Sequence, residues 1–455
     1  MRLLFAVLAA LLIFTAAPAH AAGPEIGIAD DRILLAGGPN ADKAVLEWQE
    51  NGIQTVRMLA VWSRIAPSSP TGTYDWGQLD AAVARVDAAG LKPMLTITGP
   101  GPLWVSRRSE RGEPRYDPDP KLFGEFAEMV AARYGDKVDR YILWNEPNLG
   151  GWLRPQAACF GKVCNSVAPH LYRDLVAAAY PAIHAADSKA QVLIGAMSSR
   201  GSRISNENAN HRPLAFLRAL GCVDANFKKL STGRCKNFKP APADGFAFHP
   251  HGVLAAPETV FPQADDVSIA SLSRLTAVLD KLSKAKRLKG TKSKLDLYLD
   301  EFGYQTNPPD KFTGITLTQQ DQWLQRAAYQ AWRNPRVKLF AQYLWIDEPR
   351  SLNNENGGWQ SGVYFADGRA KPSLKRFATP FALDASRGRL WGQVRTRETR
   401  TVTVERKLAG SSSWRKIGTR RTDAQGYWSW TTRLSVGASY RFHAAGATSA
   451  TLKRR

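Results

Sequence analysis

Residues 140–148 read Arg-Tyr-Ile-Leu-Trp-Asn-Glu-Pro-Asn, an apolar run that ends in a polar cluster containing Glu146. Residues 295–304 repeat this arrangement as Leu-Asp-Leu-Tyr-Leu-Asp-Glu-Phe-Gly-Tyr, with Glu301 near the end. Short apolar runs of this kind are typical of strands that are buried on both faces. In a parallel barrel the carboxyl ends of the strands form one rim, so both glutamates are expected to project into a single cleft.

Eight strand-like segments lie between residues 24 and 378, and helical patterns separate them. The segments are Ile33–Ala36, Thr55–Val61, Pro93–Thr98, Arg140–Trp144, Val192–Ala196, Gly245–His249, Leu295–Leu299 and Phe340–Trp345. Residues 318–321, Thr-Gln-Gln-Asp, predict a capping box at the start of the helix before the last strand. Such repeated alternation predicts an α/β fold, a (β/α)₈ TIM barrel over residues 23–378.

The pattern changes at about residue 380, where the helical period ends. Alternating runs such as Thr401–Glu405 and Trp428–Arg433 follow, with turn residues such as Asp423–Gly426 between them. Residues 380–455 are therefore predicted to form a small antiparallel β-sandwich domain. They contain 16 Lys or Arg against 4 Asp or Glu, a net charge of +12 out of +22 for the chain. This charge is compatible with attachment to an anionic surface and equally with an ordinary solvated surface.

The N-terminus has the features of a secretory signal peptide. Met1-Arg2 precedes an apolar run from Leu3 to Phe14, and Ala19-His20-Ala21 forms a small-residue cleavage motif. The run is shorter than the roughly 20 residues that a membrane span requires. We expect residues 1–22 to be removed and the mature chain to be secreted, with no membrane span.

Four cysteines remain in the predicted mature chain. An even number in a secreted protein favours disulfides, and the positions indicate two local bridges, Cys159–Cys164 and Cys222–Cys235. The alternative is a metal site, which the spacing and the lack of a nearby histidine pair disfavour.

A pair of glutamates on one rim suits glycosidic cleavage. One carboxylic acid protonates the leaving oxygen, and the other carboxylate attacks the anomeric carbon or activates a water. The run Trp144–Asn148 on the fourth strand and the run Asp300–Gly303 on the seventh resemble clan A glycoside hydrolases, in particular families 5 and 39 and related cellulase-like proteins. The likeness covers most of residues 50–378.

The resemblance implies roles for individual residues. It makes Glu146 the acid/base and Glu301 the nucleophile of a retaining reaction, with Arg57 steadying Glu301. It also implies that Asn145 bonds the sugar 2-hydroxyl and that Trp345 forms a platform under the sugar that is cleaved. No cofactor is implied.

Two positions depart from the pattern of the clan. Many members have the motif His-x-Tyr on the sixth strand. This chain has His249-Pro250-His251, so His251 stands where those members have tyrosine. The third strand ends in Thr98-Gly99-Pro100, without the histidine common in family 5, which favours the clan over family 5 itself. His249 and His251 are expected to contact substrate. A His-x-His run can also bind metal, but no further histidines cluster with it at other strand ends, so no metal is predicted.

Other aromatic and acidic residues follow the predicted strands. Trp62, Trp104 and Trp152 could stack on sugars or pack within loops. Asp347 and Glu348 follow Trp345 and are weaker candidates for catalytic carboxylates.

The sequence thus predicts a monomeric, secreted, retaining hydrolase of O-glycosidic bonds in a poly- or oligosaccharide. The positive charge suggests an anionic glycan as a hypothesis, and nucleic acid is not expected as a partner because no nucleic-acid-binding motif is recognisable. The alternatives are a glycan-binding barrel without catalysis and a transglycosylase that remodels envelope glycan.

Overall fold

A computed structural model describes residues 23–349, 358–396, 398–444 and 446–455. The predicted signal peptide, residues 1–22, lies outside the described residues. Eight parallel strands form a closed barrel in which the first strand pairs with both the second and the eighth. The strands are β1 Glu25–Ala29, β2 Thr55–Val61, β3 Lys92–Thr98, β4 Arg140–Leu143, β5 Gln191–Ser198, β6 Gly245–His249, β7 Asp296–Phe302 and β8 Val337–Tyr343.

Helices connect the strands and cover the outside of the barrel. They are α1 Asp31–Ala36, α2 Gly38–Glu50, α3 Trp62–Ile65, α4 Gly77–Ala88, α5 Pro120–Tyr134, α6 Ala168–Ala186, α7 Pro213–Leu220, α8 Leu272–Lys284, α9 Leu317–Trp332 and α10 Leu374–Phe377. The predicted TIM barrel is confirmed. Among the helices that the structure describes, none combines the length and apolarity needed to cross a bilayer.

The position of the first strand was predicted wrongly. The segment Ile33–Ala36 belongs to helix α1, and β1 lies earlier, at Glu25–Ala29. A short apolar run such as Ile-Leu-Leu-Ala does not distinguish a strand from a buried helical turn by periodicity alone. The helix ends at Gly37, whose φ of 70° lies in the left-handed region that favours glycine.

The C-terminal region forms two antiparallel sheets. One contains β9 Phe381–Asp384, β10 Arg389–Gln393 and β13 Tyr427–Thr431, and the other is built around β11 Thr401–Lys407, β12 Arg415–Arg421 and β14 Ser439–Ala444. Side chains of both sheets meet in one buried cluster that includes Phe381, Leu390, Val404, Trp428 and Phe442. Two sheets enclosing a common core form a sandwich, as the alternating sequence pattern predicts.

Two disulfides are present, with the predicted pairing. Cys159 and Cys164 bridge the two strands of a short hairpin, residues 157–166, in the loop after β4. Cys222 and Cys235 close the loop between α7 and β6. The first bridge thus restrains a regular hairpin, and the second restrains the segment between α7 and β6.

Candidate active site

Glu146 lies in a turn that is anchored to the neighbouring strand. Strand β4 ends at Leu143, and the backbone then takes left-handed φ values at Trp144 (68°) and Glu146 (40°). The buried Trp144 ring packs edge-on against Phe123, with ring centroids 5.2 Å apart. The Glu146 amide donates to the carbonyl of Ala196 on β5 at 2.9 Å. Non-glycine residues in this region are uncommon and cluster at functional sites.

Glu301 lies inside β7 and is held by Arg57 of β2. Nη1 of Arg57 donates to Oε1 of Glu301 at 2.7 Å, and Nη2 donates to Oδ1 of Asn145 at 2.5 Å. Nε donates to the hydroxyl of Thr96 on β3 at 2.8 Å. Arg57 therefore connects the turn after β4 to the carboxylate of β7. Because Oδ1 of Asn145 accepts from Arg57, its amide nitrogen is the group positioned to donate to a ligand hydroxyl.

His249 stands between three carboxylates. Its Nδ1 lies 3.2 Å from Oε1 of Glu146 and 3.6 Å from Oε2 of Glu301, while Nε2 lies 3.1 Å from Oδ2 of Asp300. The imidazole is fully buried, at the end of β6. Oε1 of Glu146 and Oε2 of Glu301 share this neighbour, so they are no farther apart than the sum of the two Nδ1 distances, about 6.8 Å.

The charges around Glu301 decide which groups are ionised. Burial by itself would raise the pKa of Glu301, but the positive charges of His249 and Arg57 outweigh it and hold that pKa well below its usual value. Burial likewise disfavours a charged His249, yet the adjacent Glu301 and Asp300 raise the pKa of the imidazole. These contacts therefore favour an ionised Glu301 next to a cationic His249 and Arg57.

Three aromatic rings form the wall beside Glu301. The ring of His251 lies 5.8 Å from Tyr343 and 5.4 Å from Trp359, and Tyr343 and Trp359 are 5.5 Å apart, centroid to centroid. Nε2 of His251 is 3.6 Å from Oε2 of Glu301. Trp359 is 40% exposed, so part of the residue is accessible to solvent.

The two glutamates have solvent access. Side-chain exposure is 16% for Glu146 and 10% for Glu301, in contrast to 0% for Asp300. Two partly exposed carboxylates within this distance can act on one bond between them. The arrangement fits a group that donates a proton and a group that attacks carbon.

A sequence profile of the family described as Cellulase (glycosyl hydrolase family 5) matches residues 23–331, more than half of the chain. The chain belongs to glycosyl hydrolase family 5. The absence of a histidine at the end of β3, which was taken from the sequence as an argument against family 5, is thus a variation within the family. A carbohydrate substrate and hydrolytic chemistry follow from the membership. No curated protein matches this sequence.

Solved structures with the same fold include several glycosidases. A family 39 glycoside hydrolase from Bacteroides cellulosilyticus is 16% identical, with a TM-score of 0.53 over 92% of this chain and 80% of that one. A glucosidase from Croceicoccus marinus is 12% identical, with a TM-score of 0.50 over 93% and 95%. A family 1 β-glucosidase from Thermotoga maritima is 13% identical, with a TM-score of 0.50 over 77% and 96%. These similarities show the barrel fold.

The structure does not bring every predicted residue into this family 5 site. Trp345 is fully buried, packs edge-on against Phe377 and donates from Nε1 to Oε2 of Glu47 on α2 at 2.7 Å. Because Trp345 is 0% exposed, its ring does not lie under a sugar in this structure, and β8 ends two residues earlier, at Tyr343. The sequence placed the end of this strand too late.

Trp62 and Asp347 have structural contacts instead of cleft positions, whereas Glu348 contacts Trp359 of the aromatic wall. Trp62 is 1% exposed and stacks on Phe126, so it packs within the protein. Asp347 forms a buried ion pair with Lys371 at 2.8 Å, and Glu348 accepts the backbone amide of Trp359. Trp104 is half-buried and donates to the carbonyl of Pro67, and Trp152 is also half-buried, in the loop after β4.

Sequence reasoning missed three residues of this site: Asp300, Tyr343 and Trp359. Asp300 precedes Glu301, and alternation along a strand would point it to the opposite face. The pairing of β7 with β8 shifts register between Leu299 and Phe302, and this irregularity allows both carboxylates to reach His249. If the end of β8 had been predicted correctly, Tyr343 would have been recognised as the residue at the rim. Nothing in the sequence indicates that Trp359 returns to the cleft.

Proposed function

We propose that this chain is a secreted, retaining glycoside hydrolase with Glu146 as acid/base and Glu301 as nucleophile. The observation that carries the proposal is that both carboxylates contact one atom, Nδ1 of His249, at 3.2 and 3.6 Å. Retaining enzymes have their carboxyl groups about 5–5.5 Å apart, whereas inverting enzymes need about 6.5–9.5 Å to admit a water. The limit of about 6.8 Å for this pair of oxygens includes the retaining range and reaches only the lower edge of the inverting range, which supports retention.

The reaction has two steps. Oε2 of Glu301 attacks the anomeric carbon while the glycosidic C–O bond breaks, and Glu146 gives its proton to the leaving oxygen. Glu146 then takes a proton from water, the water oxygen bonds to the anomeric carbon, and Glu301 departs as a carboxylate. Arg57 holds Oε1 throughout, so Oε2 is the oxygen directed at the substrate.

The surroundings of Glu301 support its role as nucleophile. Burial by itself would raise the pKa of Glu301, but His249 and Arg57 lower it, which favours the ionised form that a nucleophile requires. Secretion is supported by two disulfides, which persist in oxidising compartments. We also propose that the chain is monomeric.

The test is a reducing-sugar assay over a panel of neutral and anionic polysaccharides, with Glu301→Gln, Glu146→Gln and the surface control Glu110→Gln. Glu301→Gln should show no turnover on any substrate. Glu146→Gln should lose about 10²–10⁴-fold on natural glycans and far less on aryl glycosides, whose leaving groups need no proton. Glu110 is exposed and pairs with Arg108, so its variant should keep full activity.

The panel also separates the rival functions. Wild-type protein that binds a glycan without cleaving it would indicate a glycan-binding barrel. Longer products in the presence of acceptor sugars would indicate a transglycosylase. If the substrate is anionic, as the charge suggests, binding should weaken between low and high salt, and salt-independent binding would contradict that part of the proposal.

A further inference from the structure

His249 and His251 each have one ring nitrogen occupied by a fixed acceptor. Nε2 of His249 faces Oδ2 of Asp300 at 3.1 Å, and Nδ1 of His251 faces the carbonyl of Gly303 at 3.4 Å. Metal-binding histidines usually donate their second N–H to a carboxylate or a backbone carbonyl in this way, which fixes the tautomer and turns the other nitrogen to the ion.

The two remaining nitrogens converge on one oxygen. Nδ1 of His249 and Nε2 of His251 are each 3.6 Å from Oε2 of Glu301, and the ligand atoms of the three residues all lie within 4.8 Å of one another. A tetrahedral Zn²⁺ ion with bonds of about 2.0–2.2 Å separates its ligand atoms by about 3.3–3.6 Å. Two of the three distances between ligand atoms are 3.6 Å and the third is at most 4.8 Å, so the three atoms lie near the separations that the ion requires.

One oxygen of Glu301 is free to bind an ion. Oε1 of Glu146 is 3.2 Å from Nδ1 of His249 but is not part of the cluster of three ligand atoms, so the fourth position of a bound ion is left to water. Arg57 occupies Oε1 of Glu301 and leaves Oε2 for an ion. Two imidazoles with carboxylate oxygens suit Zn²⁺, Cu²⁺ or Ni²⁺ and not Mg²⁺ or Ca²⁺, which prefer ligand sets made of oxygen.

We propose that His249, His251 and Glu301 form an inhibitory site for a divalent transition-metal ion of the zinc class. Binding releases the proton on Nδ1 of His249 and occupies Oε2 of Glu301, the oxygen assigned to attack, so the ion blocks turnover reversibly. The His-x-His run lacked a third ligand when judged from sequence, and Glu301 supplies it. Binding is independent of the proposed hydrolysis; only the inhibition rests on it.

The experiment measures Zn²⁺ binding directly, by calorimetry on the chain without an affinity tag. We expect one site per chain, and Co²⁺ in its place should give the intense visible absorption of tetrahedral coordination. His251→Phe and Glu301→Gln each remove a ligand and should weaken Zn²⁺ binding at least about 100-fold, while Asp300→Asn should weaken it about 10-fold through His249. Circular dichroism and the melting temperature verify that each variant is folded.

His443→Gln and His170→Gln are the matched controls. His443 lies in the C-terminal sheets beside Glu405, and His170 lies beside the Cys222–Cys235 disulfide, whose sulfurs are already bonded. Both controls should bind one Zn²⁺ with unchanged affinity. A wild-type chain that binds no Zn²⁺ at millimolar concentration, or variants that bind as well as wild type, would overturn the proposal.

Inhibition is measured separately, with EDTA reversal. Zn²⁺ should abolish hydrolysis at the concentration that fills the site, and EDTA should restore it. Zn²⁺ that fills the site while turnover continues would refute the inhibitory role and the assignment of Oε2 as the attacking oxygen. The binding data would then still establish the metal site, so the two failures are distinguishable.

Discussion

Arg57 donates hydrogen bonds to three side chains that come from three other parts of the barrel: Thr96, Asn145 and Glu301. The planar guanidinium makes these contacts in fixed directions, whereas a lysine ammonium on the same strand could satisfy one or two of them. The position of Glu301 and the orientation of Asn145 therefore depend on the same residue.

Arg57→Lys should accordingly reduce kcat/KM by about 10–100-fold, the equivalent of about 1.5–3 kcal/mol for a lost hydrogen bond to a charged group. The measurement is steady-state kinetics on the best substrate of the panel. Activity within twofold of wild type would mean that Arg57 does not orient the site.

Trp345 and Trp359 should respond differently to substitution. Trp345→Phe leaves Glu47 without its indole donor in a packed region, so it should lower the melting temperature and leave KM unchanged. Trp359→Ala should raise KM with little effect on stability, because the ring is 40% exposed beside His251. If Trp345→Phe raised KM at unchanged stability, the result would instead support the role predicted from the sequence, in which Trp345 forms a platform under the sugar.

At the level of single residues, the sequence predicted that Glu146, Glu301, Arg57, Asn145 and His249 lie at one rim, and the structure brings these side chains together, while their roles stay predictions. These residues lie in or next to strands with clear apolar patterns, so a position along the chain translates directly into a position on the rim. The prediction failed for Trp345, because the strand ends two residues earlier than predicted and alternation along β8 no longer decides where this side chain points.

Among the elements, strands β2 and β6 match the predicted bounds, and the helix before β8 begins earlier than predicted. Its capping box is formed by Thr316 and Gln319 instead of residues 318–321. Both sequences satisfy the capping pattern, and only the length of the preceding loop decides between them. The register shift in β7 was also beyond prediction, because it depends on pairing with β8.

Glu25 connects four strands at the end of the barrel opposite the site. Its carboxylate accepts from Thr55 of β2, Lys92 of β3 and Arg140 of β4, each the first residue of its strand. Burial would raise the pKa of Glu25, but Arg140 and Lys92 lower it from 4.5 to about 2. Residues at this end of a TIM barrel usually serve stability.

Glu25→Gln should therefore destabilise the barrel in a pH-dependent manner. A carboxyl with a lowered pKa stabilises the folded state above its unfolded pKa of 4.5 and loses this contribution as the pH falls towards 2. The contribution is about 3 kcal/mol at neutral pH. Urea unfolding at several pH values should show a difference from wild type that narrows below pH 5, and a pH-independent difference would contradict this account.

On the scale of the whole molecule, the C-terminal sheets pack against the barrel. Trp391 of β10 is fully buried and lies within about 6 Å of Tyr329 and Trp332 of α9, measured between ring centroids. Tyr427 donates from its hydroxyl to the carbonyl of Pro24, next to β1. The change of sequence pattern near residue 380 indicated a separate sandwich but gave no sign of this contact, which depends on surface shape.

This contact predicts coupled unfolding of the two regions. Calorimetry should show one transition, and Trp391→Ala should lower its midpoint at a cost of about 3–5 kcal/mol from the cavity it leaves. Two separate transitions, with the barrel transition unchanged in the variant, would show that the C-terminal sheets fold independently.

The central claim is that Glu301 forms a covalent bond to the sugar. The most direct measurement is mass spectrometry of the chain after reaction with an activated 2-fluoro glycoside of the sugar that it hydrolyses fastest. The account predicts one added glycosyl group on Glu301, within the tryptic peptide of residues 295–311, and none in Glu301→Gln. A label on another residue, or a first product with inverted anomeric configuration, would contradict it.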